Sequence, residues 1–108
     1  MAAPAGTNLT TVSTRPVHAL LLPAGAELFE AVRRALSGEG PAVLPLSPDL
    51  PAPALRSALE TLRPTHLVTP DGVRPCPDGV PADEETAVII ATSGSTGRPK
   101  GVELTAAA

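Results

Sequence analysis

Ala87-Val88-Ile89-Ile90-Ala91 runs directly into Thr92-Ser93-Gly94-Ser95-Thr96-Gly97-Arg98-Pro99-Lys100-Gly101-Val102. An apolar, β-branched pentad reads as a buried strand. Three glycines, four hydroxyl residues and one lysine then follow it. Lys100 is the only lysine of a chain that otherwise uses arginine. Gly94, Gly97 and Gly101 permit backbone angles closed to other residues, so successive N–H groups can converge on one oxyanion. Ser93, Ser95 and Thr96 add hydroxyl donors, and Lys100 adds a compact positive charge with three more. The physical reading is an anion-binding loop at the end of a strand. The competing reading is a plain Gly/Ser surface turn, because these residues dominate turns and linkers.

Two familiar phosphate loops fail on spacing. A Walker loop needs Gly, four residues, then Gly-Lys-Ser/Thr opening a helix. Here Lys100 is followed by Gly101, and Pro99 drives Arg98 away from the helical region. The dinucleotide pattern G-x-G-x-x-G is absent.

The run resembles the signature loop of the adenylate-forming enzymes: acyl-CoA synthetases, peptide-synthetase adenylation domains and luciferases. Their pattern, Thr/Ser-Ser-Gly-Ser/Thr-Thr-Gly-x-Pro-Lys-Gly, is matched at every position from Thr92 to Gly101. The resemblance implies that this loop cradles the outer phosphates of ATP while a carboxylate attacks the α-phosphorus. It implies nucleotide-binding roles for Thr92, Ser93, Gly94, Ser95, Thr96, Gly97, Lys100 and Gly101, with Lys100 acting in catalysis. Arg98 falls at the variable position and receives no role.

The flanks are similar to one branch. Leu36-Ser37-Gly38-Glu39-Gly40-Pro41-Ala42-Val43-Leu44-Pro45-Leu46, and Arg63-Pro64-Thr65-His66-Leu67-Val68 further on, resemble o-succinylbenzoate–CoA ligases of menaquinone biosynthesis. Many family members place a histidine soon after the trailing Leu-Thr. Here Leu104-Thr105 leads to Ala106-Ala107-Ala108, a departure from generic fatty acyl-CoA synthetases. The resemblance covers about residues 26–108. It implies an acid–thiol ligase using ATP, Mg²⁺ carried on the nucleotide, CoA and a small-molecule carboxylate. Two alternatives stay open: another adenylate-forming enzyme (fatty acyl-CoA synthetase or peptide-synthetase adenylation domain), or a non-catalytic phosphate-binding protein. The chain stops after the motif, before the family's adenine, carboxylate and CoA pockets and its second lysine. The expectation is therefore an N-terminal fragment, inactive alone.

Composition narrows the field. The 108 residues amount to one domain or less. The 43% apolar fraction is rich in alanine, Phe29 is the sole aromatic residue, and 14 prolines cut the chain into short pieces. A net charge of −3 provides no basic stripe, so nucleic acid is not an expected partner. No stretch approaches the ~18 apolar residues of a membrane span, and the cytoplasm is the expected location. Cys76 is the only cysteine, which excludes an intrachain disulfide and a cysteine metal cluster. His18 and His66 read as core or edge histidines, and no protein-built metal site is expected. Asp83-Glu84-Glu85 reads as a solvated turn.

Residues 1–15 read as a variable or disordered leader, and 16–108 as the N-terminal part of an AMP-binding domain. Strands are expected at 17–22, 42–44, 66–69, 87–91 and 102–104. Helices are expected at 26–37 and about 53–62, with loops at 47–53 and 70–86. Leu28, Val32, Ala35 and Leu36 form the apolar stripe of the first helix, with Phe29 beside them. Glu30 and Arg34 form an i,i+4 pair, Gly38 closes the helix, and Thr105 is placed to cap a following one. Alternating strands and helices imply an α/β fold with a mainly parallel sheet and flanking helices, ending just after the phosphate loop.

Overall fold

The computed structural model describes residues 14–93 and 99–105. In chain order the elements are β1 (Thr14–Arg15), β2 (Val17–Leu20), α1 (Ala26–Ser37), β3 (Ala42–Pro45) and α2 (Ala52–Leu62). They continue with β4 (His66–Thr69), β5 (Gly72–Pro75), β6 (Ala82–Asp83), β7 (Thr86–Ser93) and β8 (Pro99–Thr105). Among the described residues the main sheet has six strands, in the order β5-β4-β2-β3-β7-β8.

This is a small α/β domain with a mixed sheet. The β4–β2, β2–β3 and β3–β7 pairs are parallel; β4–β5 and β7–β8 are antiparallel. The expected parallel core is present, and each edge is closed by a hairpin strand. An exposed edge invites pairing with another chain, and the outer strands carry the usual deterrents. β5 has Arg74 and Pro75, and β8 has Pro99, Lys100 and Glu103.

The expected loop over 70–86 is corrected by two short strands inside it. β5 is wholly exposed, while β6 pairs with β1 as a separate two-stranded ribbon. Neither has apolar alternation, the signal a sequence reading relies on. Thr14 and Arg15, grouped with the leader by sequence, form β1, and Arg15 is buried. Its guanidinium donates to the carbonyls of Thr86 (2.7 Å), Ala35 (3.2 Å), Glu84 (3.4 Å) and Gly40. The Ala35 carbonyl belongs to the last turn of α1, where the helix dipole favours a cation.

α1 follows its 3.6-residue pattern. Leu28, Ala31, Val32 and Ala35 pack on the sheet against Leu20, Leu22, Val43 and Val88. Gly38 closes the helix in the left-handed region, φ 81°, and its N–H reaches the Ala35 carbonyl. Phe29 does not join the stripe; it is 78% exposed, one residue off the apolar meridian, and Leu36 is also exposed. Glu30 pairs with Arg33 rather than Arg34, at 2.6 Å. That bond holds the Glu30 carboxyl below its ordinary pKa.

α2 covers the other face. Leu55, Ala58, Leu59 and Leu62 pack over Val17, Ala19, Ala42, Leu44 and Leu46. The helix ends at Arg63, whose φ of 51° is left-handed, and Pro64 prevents continuation. Gly79 is required by a close approach, since a Cβ there would overlap the Pro64 carbonyl oxygen and Thr65 Cα. Among the described residues no helix is long and apolar enough to cross a membrane.

Candidate functional site

β7 was legible as the strongest strand, and it is longer than its apolar pentad. Its eight residues reach from Thr86 to Ser93, whereas its parallel neighbour β3 has four. Val88 is in register with Val43. Beyond it β7 advances five residues to Ser93, about 17 Å at the usual rise per residue. Over that distance its antiparallel partner is β8, in the register Ile89↔Glu103, Ile90↔Val102, Ala91↔Gly101, Thr92↔Lys100 and Ser93↔Pro99. The returning strand is therefore seven residues long and begins inside the signature motif. Thr105 ends this strand, so the helix expected to start there lies outside the described residues.

The hairpin arm brings both flanks of the motif together. Thr92 and Lys100 occupy directly opposite positions, a relation that puts Cβ atoms about 4.5–5.5 Å apart. Because β7 runs parallel to β2, β3 and β4, the motif leaves the sheet at the C-terminal end of the parallel strands. Open α/β sheets bind their ligands at that edge. Gly94, Ser95, Thr96 and Gly97, with Arg98, lie outside the described residues, as do the side chains of Ser93 and Lys100. Thr92 is exposed.

Gly101 has a packing role that its place in the motif does not disclose. A Cβ at this position would sit 3.0 Å from Ile89 Cγ2 and 3.1 Å from Leu62 Cδ2. The bare α-carbon thus lets the last turn of α2 close on the hairpin. Gly101 is paired with Ala91, next to the Thr92↔Lys100 pair, so this contact adjoins the flanks of the motif.

A cavity of about 360 Å³ lies at the opposite end of the sheet, lined by Arg56, Arg63, Cys76 and Asp78 among others. Cys76 is half-buried there, with its N–H on the Thr65 carbonyl at 2.8 Å. On the α1 face, a second cavity of about 260 Å³ is lined by His18, Glu27, Arg34 and the apolar side chains around them. His18 and His66, read from sequence as core or edge histidines, are half-buried and stand side by side. All three of Asp83, Glu84 and Glu85 are exposed, but only Glu84 and Glu85 form the expected turn; Asp83 ends β6, paired with Thr14.

No family model matches the chain. One relative does: a dimodular nonribosomal peptide synthase of Bacillus subtilis (strain 168), 31% identical over 115 residues. The kinship is adenylate-forming in the coarse sense. The alignment takes in 81% of this chain but 5% of the synthase, so the chain spans about a twentieth of that relative's length. It gives no support to o-succinylbenzoate as the substrate, and none to a CoA ligase over other ligases.

Proposed function

We propose that the Thr92–Gly101 segment is the triphosphate-binding loop of an adenylate-forming ligase that activates a carboxylate, o-succinylbenzoate being the substrate its flanking sequence most resembles. The observation that carries this reading is the ten-position motif mounted on the β7–β8 arm, with Thr92 opposite Lys100 at the C-terminal edge of the parallel strands. The likeness to a peptide synthase supports the coarse part of it. In the reaction, carboxylate and ATP give acyl-adenylate and pyrophosphate, and CoA thiol then displaces AMP. The loop's N–H dipoles, the hydroxyls of Ser93, Ser95 and Thr96, and Lys100 offset the charge that gathers on the leaving β,γ-phosphates. Mg²⁺ carried on those phosphates would share this task.

The test is carboxylate-dependent ATP–pyrophosphate exchange by the enzyme containing this chain, with o-succinylbenzoate, fatty acids and amino acids as substrates. Exchange with o-succinylbenzoate is expected, and Lys100→Ala should lower it by about 10²–10³, the usual cost of one preorganised donor. Thioester formation from supplied acyl-adenylate should be nearly unchanged, because pyrophosphate has already left. Exchange with amino acids alone would move the protein to the peptide-synthetase branch. Equal damage to both half-reactions would show that Lys100 is structural.

A further inference from the structure

The chain has two histidines, distant in sequence, and parallel pairing of β2 with β4 sets His18 directly opposite His66. Both side chains stand on the α1 face of the sheet and are half-buried. Their ring centroids are 4.8 Å apart and their planes are tilted by 48°.

The Thr65 hydroxyl ties the His66 ring to β2. The Thr65 hydroxyl accepts the Val17 N–H at 2.8 Å and lies 2.9 Å from the Val17 carbonyl oxygen. That carbonyl also accepts the Thr65 N–H at 2.9 Å, so the single hydroxyl hydrogen can serve either it or His66. His66 Nδ1 is 2.9 Å from the same hydroxyl oxygen, and in the tautomer with the proton on Nδ1 it donates there. Nε2 of His66 then keeps its lone pair. The imidazole is held by a donor–acceptor chain of the kind that orients metal-bound histidines.

His18 makes no hydrogen bond through its ring to the described residues. Burial first, and then the neighbouring His66, hold its pKa below the ordinary histidine value. The 260 Å³ cavity that it lines has room for water, with Glu27 and Arg34 on its helical wall.

From this arrangement we infer that His18 and His66 form a two-imidazole clasp for a borderline transition-metal dication, with Thr65 as the positioning residue. At metal–nitrogen distances of about 2.0–2.1 Å, two imidazoles meeting at one ion have ring centres roughly 5 Å apart. The observed separation needs little adjustment to reach that value. No group of three His, Cys, Asp or Glu ligands gathers among the described residues. The clasp thus supplies two protein ligands and water completes the shell. Imidazole donors and the Irving–Williams order make Cu²⁺ the tightest occupant, ahead of Ni²⁺ and Zn²⁺. Glu27 offsets the repulsion that Arg34 exerts on a cation. The clasp would add a second side-chain tie between β2 and β4, beside the Thr65–Val17 contacts.

The experiment titrates the full chain with CuCl₂ and NiCl₂ at pH 7.5 in a Cys76→Ser background, which removes the lone thiol as a competing ligand. Binding is followed by calorimetry and by the imidazole C–H resonances, only two sets of which exist. One ion per chain is expected, with both rings broadened together at substoichiometric metal. His18→Gln or His66→Gln should each weaken Cu²⁺ binding by about 100-fold. Thr65→Val should weaken it by about tenfold, with Thr65→Ser restoring it, since loss of an orienting partner costs a site about 10–100-fold. Binding should fade toward pH 5 as protons compete for the rings. Two ions per chain, broadening of one ring only, or Cu²⁺ affinity unchanged in either Gln variant would overturn the clasp. The stoichiometry and the paired broadening come from chains with both histidines intact, so they decide the matter even if a Gln variant fails to fold.

Discussion

The two faces of the sheet are built to different rules. On the α2 face Val17, Ala19, Ala42, Leu44 and Leu46 meet Leu55, Ala58, Leu59 and Leu62, and charged groups stay outside the contact. On the α1 face the apolar cluster of Leu20, Leu22, Ala35, Val43 and Val88 shares the sheet with His18 and His66 and with a cavity walled by Glu27 and Arg34. Strand alternation turns Ile90, Val102 and Leu104 to the α1 side as well, and all three are exposed where α1 no longer covers them. The α2 face is a continuous seal whose last turn grips the hairpin through Gly101. The α1 face is a partial cover that leaves polar chemistry in reach of water. Rigidity and reactivity are thereby separated across one layer of strands.

Large-to-small substitutions should expose this difference most strongly. Leu44 and Val43 are adjacent on β3, both almost fully buried, and point to opposite faces. Leu44→Ala is expected to cost about 3–4 kcal/mol in urea unfolding, from lost transfer energy plus an unrelaxed cavity. Val43→Ala should cost about 2 kcal/mol, since it deletes less and water already reaches part of that face. Equal losses would show that the α1 face is sealed as tightly as the other. A smaller effect, about 1–3 kcal/mol, is expected for Gly101→Ala, because the added methyl must displace Leu62 or Ile89. If this variant unfolds like the parent, the grip of α2 on the hairpin is slack and the seal ends before β8.

Acid should reach the α1 face through His18. The folded-state pKa of His18 is lowered, so the unfolded chain binds its proton at higher pH than the native one. Stability should be full above the ordinary value near 6.5, fall as pH drops below it, and level off beneath the lowered folded pKa. Thermal melts between pH 7.5 and 4.5 would show the fall, and His18→Gln should flatten that part of the curve. A slope unchanged by the substitution would assign the acid sensitivity to other groups. The smallest effect belongs to Phe29→Ser. With the ring 78% exposed, the change in stability should stay within about 0.5 kcal/mol. A loss above 1 kcal/mol would mean that α1 packs more of its surface than its stripe suggests.

The contrast between faces also marks what a sequence can disclose. α1 and α2 were legible because apolar residues recur at helical spacing and Gly38 and Pro64 stand where the helices end. β3, β4 and β7 were legible as short apolar runs between breakers. β5 and β6 were not, since Gly72-Val73-Arg74-Pro75 and Ala82-Asp83 lack alternation and are held by partners elsewhere in the chain. The Glu30 pairing failed for a local reason: positions three and four residues on are both within reach, and rotamers choose between them. The candidate loop was legible because its ten positions are contiguous. The pairing of Thr92 with Lys100 follows once β7 and β8 are known to form a hairpin. Long-range register is another matter. Nothing in the order of residues says that His18 meets His66, that Thr65 orients one of them, or that Leu62 lands on Gly101.

Arg15 carries a consequence in time. Its acceptors at Ala35 and Gly40 are made soon after it during synthesis, but the Thr86 carbonyl comes 71 residues later. At about 5–20 residues per second a ribosome needs roughly 4–14 s to supply that last acceptor. Until then the guanidinium has only part of its final shell and must keep water around it. β1 therefore gains its full set of acceptors only after the chain through Thr86 has been made. One buried arginine thus ties an early strand of the sheet region to one made much later.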